Sequence, residues 1–333
     1  GGDTLARIGG DEFVAVIDEL DQLEDSHTVL SRLLEAAAHV IDVDGNRLKV
    51  TASIGVTFYP HNNCSPDHLL RCADQAMYKA KQLGKDCWHV FDIEKDVAVK
   101  HRIEEIERIR FAIKNEEFVL FYQPKIDLRT LEVIGMEALI RWQHPENGIM
   151  PPVSFLPIIE NDLLSIDLGE WVINTAVKQL ECWRSTPMEM PISVNISPLQ
   201  LQHPNFVLRL NHIIKAFPQC NVSNLEFEIL ESSALDDIDL ASNVISECKK
   251  LGVVFSIDDF GTGYSSLSYL KKLPAKYLKI DQSFVRDMLV DVDDRSIIQG
   301  IIELAKTFGL EVIAEGVETP DHGKELLLLG CCL

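Results

Sequence analysis

The sequence predicts an α/β chain: a (β/α)8-type TIM barrel with its eighth strand truncated, preceded by a partial α+β domain. Three observations carry this. From about residue 118 onward, short apolar runs alternate with helical patterns; repeated strand–helix units build a parallel sheet, and seven or eight of them make a barrel. Residues 1–91 instead combine a hairpin signal with a single well-capped helix. Between the two, residues 92–116 carry an amphipathic helical pattern, which sets the divisions at 1–91, 92–116 and 117–333.

In chain order, Arg7 to Ile17 alternates around a Gly-Gly-Asp turn and reads as a hairpin, and Lys49 to Tyr59 reads as a further strand. Ser65-Pro66 opens a helix, with Ser able to cap and Pro at the first position. Leu69, Ala73, Ala76, Met77, Ala80 and Leu83 follow at helical spacing before Gly84 ends it. In the connector, Val99, Ile103, Ile106, Ile109 and Ile113 share one face, while Glu104/Arg108 and Glu107/Arg110 can pair on the other. A docked linker and a dimer seam both fit that face. The expected barrel strands are Phe118–Tyr122, Gly135–Ile140, Ile192–Ile196, Leu225–Ile229, Val253–Ile257, Tyr277–Ile280 and Glu311–Ala314, and an eighth would begin where the sequence stops. An open barrel of this kind leaves edges on its first and seventh strands.

Composition narrows the function classes. The 333 residues are 46% hydrophobic and 25% charged, which excludes a disordered chain, a collagen and a coiled-coil rod. No apolar run reaches the roughly 18–20 residues that span a bilayer, so no membrane contact is expected from this segment. Cysteines at 64, 72, 87, 182, 220, 248, 331 and 332 form no CxxC pair and point to a reducing, cytoplasmic compartment. With 31 Lys+Arg against 52 Asp+Glu the net charge is −21, which argues against bulk nucleic acid as a partner. An anionic substrate then needs local cations. Both termini read as cut, so a longer parent protein is expected.

The chemistry gathers where barrel enzymes keep it, at the C-terminal ends of the strands. Those ends hold Gln123, Glu137 with Arg141, Asn195, Glu228, Asp258-Asp259, Lys279 and Glu315. Glu137, Leu139 and Arg141 share a face because side chains alternate along a strand. Five carboxylates and an amide at one mouth need cations, and hard oxygen donors select Mg²⁺ or Mn²⁺. The set suffices for two ions bridged by Asp258 or Asp259, and two ions about 3.5–4 Å apart suit in-line displacement at phosphorus. Each residue also has a bland reading: a solvated Glu, Asn195 as a helix cap, Asp258-Asp259 as a turn, Lys279 as a surface charge. Only their common placement argues against all of these together.

The runs YQPKIDL (122–128), EALIRWQHP (137–145), VNISPLQL (194–201), EFEILES (226–232), IDDFGTGYSSLSYLKKLPAKYLKID (257–281) and IAEGVET (313–319) closely resemble the EAL family of cyclic di-GMP phosphodiesterases. The resemblance implies a barrel whose first strand runs against the others, and hydrolysis of cyclic di-GMP to linear pGpG. It also implies two ions, Mg²⁺ or Mn²⁺. One is held by Glu137, Asn195, Glu228 and Asp258; the second shares Asp258 and is completed by Asp259 and Glu315. Lys279 matches the lysine that holds the attacking water. Gln123, Leu139, Arg141, Asp259 and Glu318 match the substrate side, and Glu231 matches the anchor of loop 259–266. A homodimer is the expected assembly, and a non-catalytic cyclic di-GMP receptor is the alternative.

RIGGDEFVAVI (7–17), SIGVTFYP (53–60) and ADQAMYKAKQLGKD (73–86) resemble the C-terminal half of a GGDEF domain, the fold of diguanylate cyclases. The other half, with its share of the metal site, is not in the sequence, so Asp11 and Glu12 imply no cyclase activity for this segment. The barrel also departs from its family at Gly330-Cys331-Cys332, where Gly-Cys-Asp is usual.

Overall fold

A computed structural model of the chain divides into two compact units, Gly1–His101 and Arg102–Leu333. It describes residues 2–18, 20, 23–43, 46–59, 65–91, 93–231, 237–262 and 267–333. Of the expected features, the end of loop 259–266 with Gly263 lies outside the described residues, as do Pro60 and Cys64.

In the first unit, β1 (Thr4–Gly9) and β2 (Glu12–Val16) form the expected antiparallel hairpin, Thr4 opposite Val16 and Gly9 opposite Glu12. Gly10 takes φ +55° at its tip, and the Arg7 guanidinium donates to the Gly10 carbonyl at 2.6 and 2.9 Å. A helix (Leu23–Ala37) and a second hairpin, β3 (Ile41–Val43) with β4 (Asn46–Leu48), follow.

The expected strand Lys49–Tyr59 shrinks to β5 (Ile54–Val56), because its parallel partner β6 (Trp88–Val90) offers only three residues of ladder. Gly55 lets β5 press onto the helix Pro66–Gln82, where a Cβ would meet the Ala73 carbonyl at 1.8 Å. That helix starts as the sequence indicates, Ser65 accepting from the His68 N–H with Pro66 first in the helix, and buries Cys72, Ala76 and Ala80. Leu83, at its C-terminal cap, is exposed instead.

The connector is a helix from Ile93 to Lys114 that crosses the division between the units. Ile106, Ile109, Ala112 and Ile113 join the core of the second unit, whereas Ile103 is exposed. Arg110 pairs with Glu107 at 3.4 Å as expected. Arg108 does not take Glu104; it donates to Glu117 Oε2 at 2.7 Å and lies over the Trp142 ring. Glu117 already receives the Trp142 indole N–H, so the guanidinium meets a carboxylate held in place.

The second unit is one curled sheet with strand order β14-β13-β12-β11-β10-β8-β7, β9 pairing beside β8. Its strands are β7 (Phe118–Asp127), β8 (Glu132–His144), β9 (Gly148–Met150), β10 (Ile192–Ile196), β11 (Leu225–Leu230), β12 (Val254–Phe260), β13 (Tyr277–Ile280) and β14 (Glu311–Ala314). β7 runs antiparallel to β8, and β8 through β14 along the main path are parallel. The first two strands are much longer than expected, ten and thirteen residues. Hydrogen bonding between them holds both out to a turn locked by Asp127, whose carboxylate accepts the Arg129 N–H at 2.8 Å and its guanidinium at 2.6 Å. At the sheet's two edges, the Cys332 carbonyl accepts from Leu128 N and the Leu333 carbonyl from Ala314 N, both at 2.8 Å.

Alternation along the parallel strands explains both core and site. Ile192, Val194, Leu225, Phe227, Phe255, Ile257, Leu278 and Ile280 pack outward with Ile173 and Val177, Ile245, and Ile298 and Ile302 of three surrounding helices. Burying each such side chain contributes about 1.5–3 kcal/mol. The intervening residues, Ser193, Asn195, Glu226, Glu228, Ser256, Asp258 and Lys279, therefore share the other face.

Candidate active site

At the centre of that face is Lys279, 1% exposed on β13. Its ammonium lies 2.5 Å from Glu315, 2.7 Å from Glu228, 3.0 Å from Asp258 and 3.5 Å from Glu137. Four strands or strand ends thus contribute one carboxylate each around one cation. The surface-charge reading of Lys279 is excluded by this burial. Burial alone would lower the lysine's proton affinity, but Glu228, Asp258, Glu137 and Glu315 together raise it, so it stays an ammonium.

Charge on the acidic side exceeds what Lys279 can balance. Burial and the neighbouring Glu228 push Glu137 up to about 7, against the pull of Lys279. Burial and then Asp258 push Asp259 up to about 6. Asp258 and Glu315 are raised as well, mainly by burial. Glu228 differs: burial raises it, but Lys279 and Lys125 outweigh that and lower it.

Asp258 and Asp259 reach the same place by breaking the strand's alternation. Asp259 adopts φ +52°, and the β12–β13 register shifts between Ile257 and Phe260, a local bulge that turns two successive side chains to one side. Carboxylate oxygens of Asp258, Asp259 and Glu315 consequently lie within 4.8 Å of one another. The bland turn reading does not hold for the pair itself: Asp258 and Asp259 lie within β12, and the turn begins only after Phe260.

The remaining expected residues divide. Asn195 is no helix cap; Ser197 caps, accepting from the Gln200 N–H, and Asn195 Nδ2 donates to Glu137 Oε1 at 3.1 Å. Glu137 and Gln123 do not end strands; they stand opposite each other within the long β7–β8 ladder. Leu139 and Arg141 follow Glu137 on the same face, and the Arg141 guanidinium lies over the Phe121 ring at 5.7 Å. Glu231 is 2% exposed and accepts the Gly261 N–H at 3.1 Å. It lies past the end of β11, so strand alternation is not what separates it from Glu228. Glu318 is exposed after β14, where its charge acts on Arg286.

Two residues of the cluster were passed over in the sequence: Lys125 and Glu226. Lys125 Nζ contacts Ser193 Oγ at 2.5 Å and both Glu226 and Glu228 at 2.8 Å. The signal was period two, which aligns Lys125 with Gln123 and Glu226 with Glu228.

The donor set fits a hard divalent cation. Its donors are carboxylate oxygens with one amide nearby, its negative charge exceeds its cations, and three carboxylates already bring oxygens within 4.8 Å of one another.

Comparison with known proteins follows the same division of the chain. Residues 106–333 match the EAL domain family, and residues 1–87 match the family described as diguanylate cyclase, GGDEF domain. The bifunctional diguanylate cyclase/cyclic di-GMP phosphodiesterase MucR of Pseudomonas aeruginosa is 37% identical over 330 residues, 99% of this chain and 48% of MucR. The cyclic di-GMP phosphodiesterase NbdA of the same organism is 35% identical over 323 residues, 96% of this chain and 41% of NbdA. The chain therefore spans about half the length of these relatives or less. The solved PaMucR phosphodiesterase, in complex with c-di-GMP, superposes with a TM-score of 0.66 at 39% identity, covering 69% of this chain and 93% of that one.

Proposed function

The chain belongs to the EAL domain family, which spans residues 106–333, and from that membership we propose that it is a metal-dependent phosphodiesterase hydrolysing cyclic di-GMP to linear pGpG. The observation that carries the proposal is the buried Lys279 among Glu137, Glu228, Asp258 and Glu315, with Asp259 turned in beside them. The reading assigns the activity to residues 117–333, joined through 92–116 to a GGDEF-like segment at 1–91.

Glu137, Asn195, Glu228 and Asp258 would hold one Mg²⁺ or Mn²⁺, and Asp258, Asp259 and Glu315 a second. Such ions supply Lewis acidity at the phosphoryl oxygens and lower the proton affinity of water. The chain's own residues do the rest. Arg141, at the rim beyond Glu137, offers a guanidinium to a phosphate, and Gln123 and Leu139 line the same wall. Glu318 is the outermost contact. Lys279, kept charged by its neighbours, donates a hydrogen bond that fixes the attacking water. The water oxygen bonds to phosphorus, the P–O3′ bond breaks, and a proton from the water ends on the departing 3′ oxygen. Glu231 holds the backbone after Asp259 in place.

The reading includes a cytoplasmic location and a homodimer, the latter testable by solution mass. Among the described residues no helix is long and apolar enough to cross a membrane. The deciding experiment incubates the full chain with cyclic di-GMP and Mg²⁺ or Mn²⁺ and follows pGpG. Metal-dependent pGpG formation supports the enzyme; binding without cleavage overturns the enzyme in favour of a receptor, and the absence of both binding and cleavage sinks the reading altogether.

A further inference from the structure

Lys125 has no part in the reading just given, yet its ammonium is nearly as enclosed as that of Lys279. It stands on β7 opposite Gly135 of β8. Its chain passes beside Gly135, where an added Cβ would lie 4.0 Å from Lys125 Cδ. From there the lysine reaches across β8 to the next two strands. There it meets Ser193 of β10 at 2.5 Å and Glu226 and Glu228 of β11 at 2.8 Å each. Its side chain is 11% exposed, and those of Glu226 and Glu228 are 7% and 0%.

Two ammonium groups therefore grip one carboxylate from opposite sides. Lys125 takes Glu228 Oε1, and Lys279 takes Glu228 Oε2 at 2.7 Å. Lys279 is shared with Glu137, Asp258 and Glu315. Two of the three partners of Lys125 lie one step lower: Ser193 and Glu226 form a register pair, and Asn195 and Glu228 form the pair two residues above it. Resting on the metal-site reading, the geometry points to Lys125 as a positioning residue: it fixes Glu228 from beneath through Oε1, leaving Oε2 turned toward the carboxylate group, and it neutralises Glu226 under the ligands. A ligand carboxylate oriented by a second partner binds metal better than one free to rotate, and losing such a partner typically costs 10–100-fold in affinity.

Charge and positioning make opposite forecasts, which makes the idea testable. Lys125→Met removes a positive charge near the site, and Coulomb attraction alone would then tighten a dication. The double variant Lys125→Met/Glu226→Gln removes one charge of each sign and leaves the local balance unchanged. It also avoids stranding Glu226, so it carries the test should Lys125→Met fail to fold. Mn²⁺ binding to the full chain is measured by calorimetry and by electron paramagnetic resonance, without substrate, alongside thermal unfolding. The expected result is that both variants bind Mn²⁺ about 10–100-fold more weakly than the parent, with Lys125→Arg recovering part of the loss. A folded double variant within about twofold of parental Mn²⁺ affinity, or a Lys125→Met that binds more tightly, overturns the inference and leaves Lys125 as a buried ion pair. A parent chain that fails to bind Mn²⁺ would count against the metal-site reading itself, a separate failure.

Discussion

Glu231 Oε2 accepts a hydrogen bond from the backbone N–H of Gly261 at 3.1 Å, joining the end of β11 to the end of β12 across thirty residues. Gly261 has φ +102°, and a Cβ there would press on Phe284 at 3.0 Å, so this stretch has little freedom to find another arrangement. Two residues before it is Asp259, the carboxylate that the bulge turns toward Asp258.

Removing the anchor is therefore expected to act at a distance from the carboxylates. Glu231→Ala should largely abolish hydrolysis of cyclic di-GMP while removing no expected metal ligand, because Asp259 and the loop after it lose their register together. Raising Mg²⁺ should restore turnover only in part. Turnover near that of the parent across a Mg²⁺ titration would take Glu231 out of the mechanism and leave it an ordinary strand-end carboxylate.

Glu137→Ala tests the ligand set directly. It deletes a carboxylate 3.5 Å from Lys279 and leaves Gln123 and Arg141 on the neighbouring wall. Hydrolysis should fall by far more than tenfold, since metal activation of water is what the variant damages. Cyclic di-GMP binding should persist, weakened. Calorimetry with the nucleotide beside a pGpG assay separates the two effects, and a rate within about tenfold of the parent contradicts the assignment.

Calcium should inhibit. Ca²⁺ takes six to eight oxygens at 2.3–2.6 Å, whereas Mg²⁺ holds a tight octahedron near 2.0–2.1 Å. The crowded carboxylates should accept the larger ion but activate water poorly. Competition of Ca²⁺ against Mg²⁺ in the pGpG assay checks this, and full activity with Ca²⁺ alone would refute it.

A pH-dependent stability difference is expected at the Arg108–Glu117 pair. Burial raises the Glu117 carboxyl, but the bonds from Arg108 and Trp142 outweigh it, so its folded pKa lies below the ordinary 4.5. A lowered folded pKa contributes stability above the unfolded value and loses it as pH falls through the folded one. Glu117→Gln should thus cost about 1 kcal/mol near pH 7, a figure that already allows for solvent screening of the partly exposed arginine. The gap should begin to narrow below about pH 4.5 and close only as pH falls through the lower folded value. Denaturant titrations of both proteins from pH 7 down to about pH 2, through the lowered folded value, read it, and a gap independent of pH would show that packing, not charge, holds the pair.

Much of the site was legible because alternation along a strand is a local property. Glu137, Leu139 and Arg141 fall on one face by counting in twos, and Ser65-Pro66 announces its helix from adjacent residues alone. Whatever depended on a partner far along the chain was not legible. The length of β8, which leaves Glu137 inside a strand rather than at its end, is set by hydrogen bonds from β7. Arg108 prefers Glu117 to Glu104 because Trp142 has already fixed that carboxylate.

The sequence by itself determined the strand–helix alternation, the chemical character of the residues gathered at the site and their family. Tertiary structure alone decided how they meet. Asp258 and Asp259 would face opposite ways on a regular strand, and they converge because Asp259 takes a left-handed conformation at a bulge. Lys125 reaches Glu228 because the strand order sets β10 and β11 next beyond β8, across which the lysine extends. A buried charge is stable only where opposite charges surround it, and their arrival depends on register between strands that are dozens of residues apart.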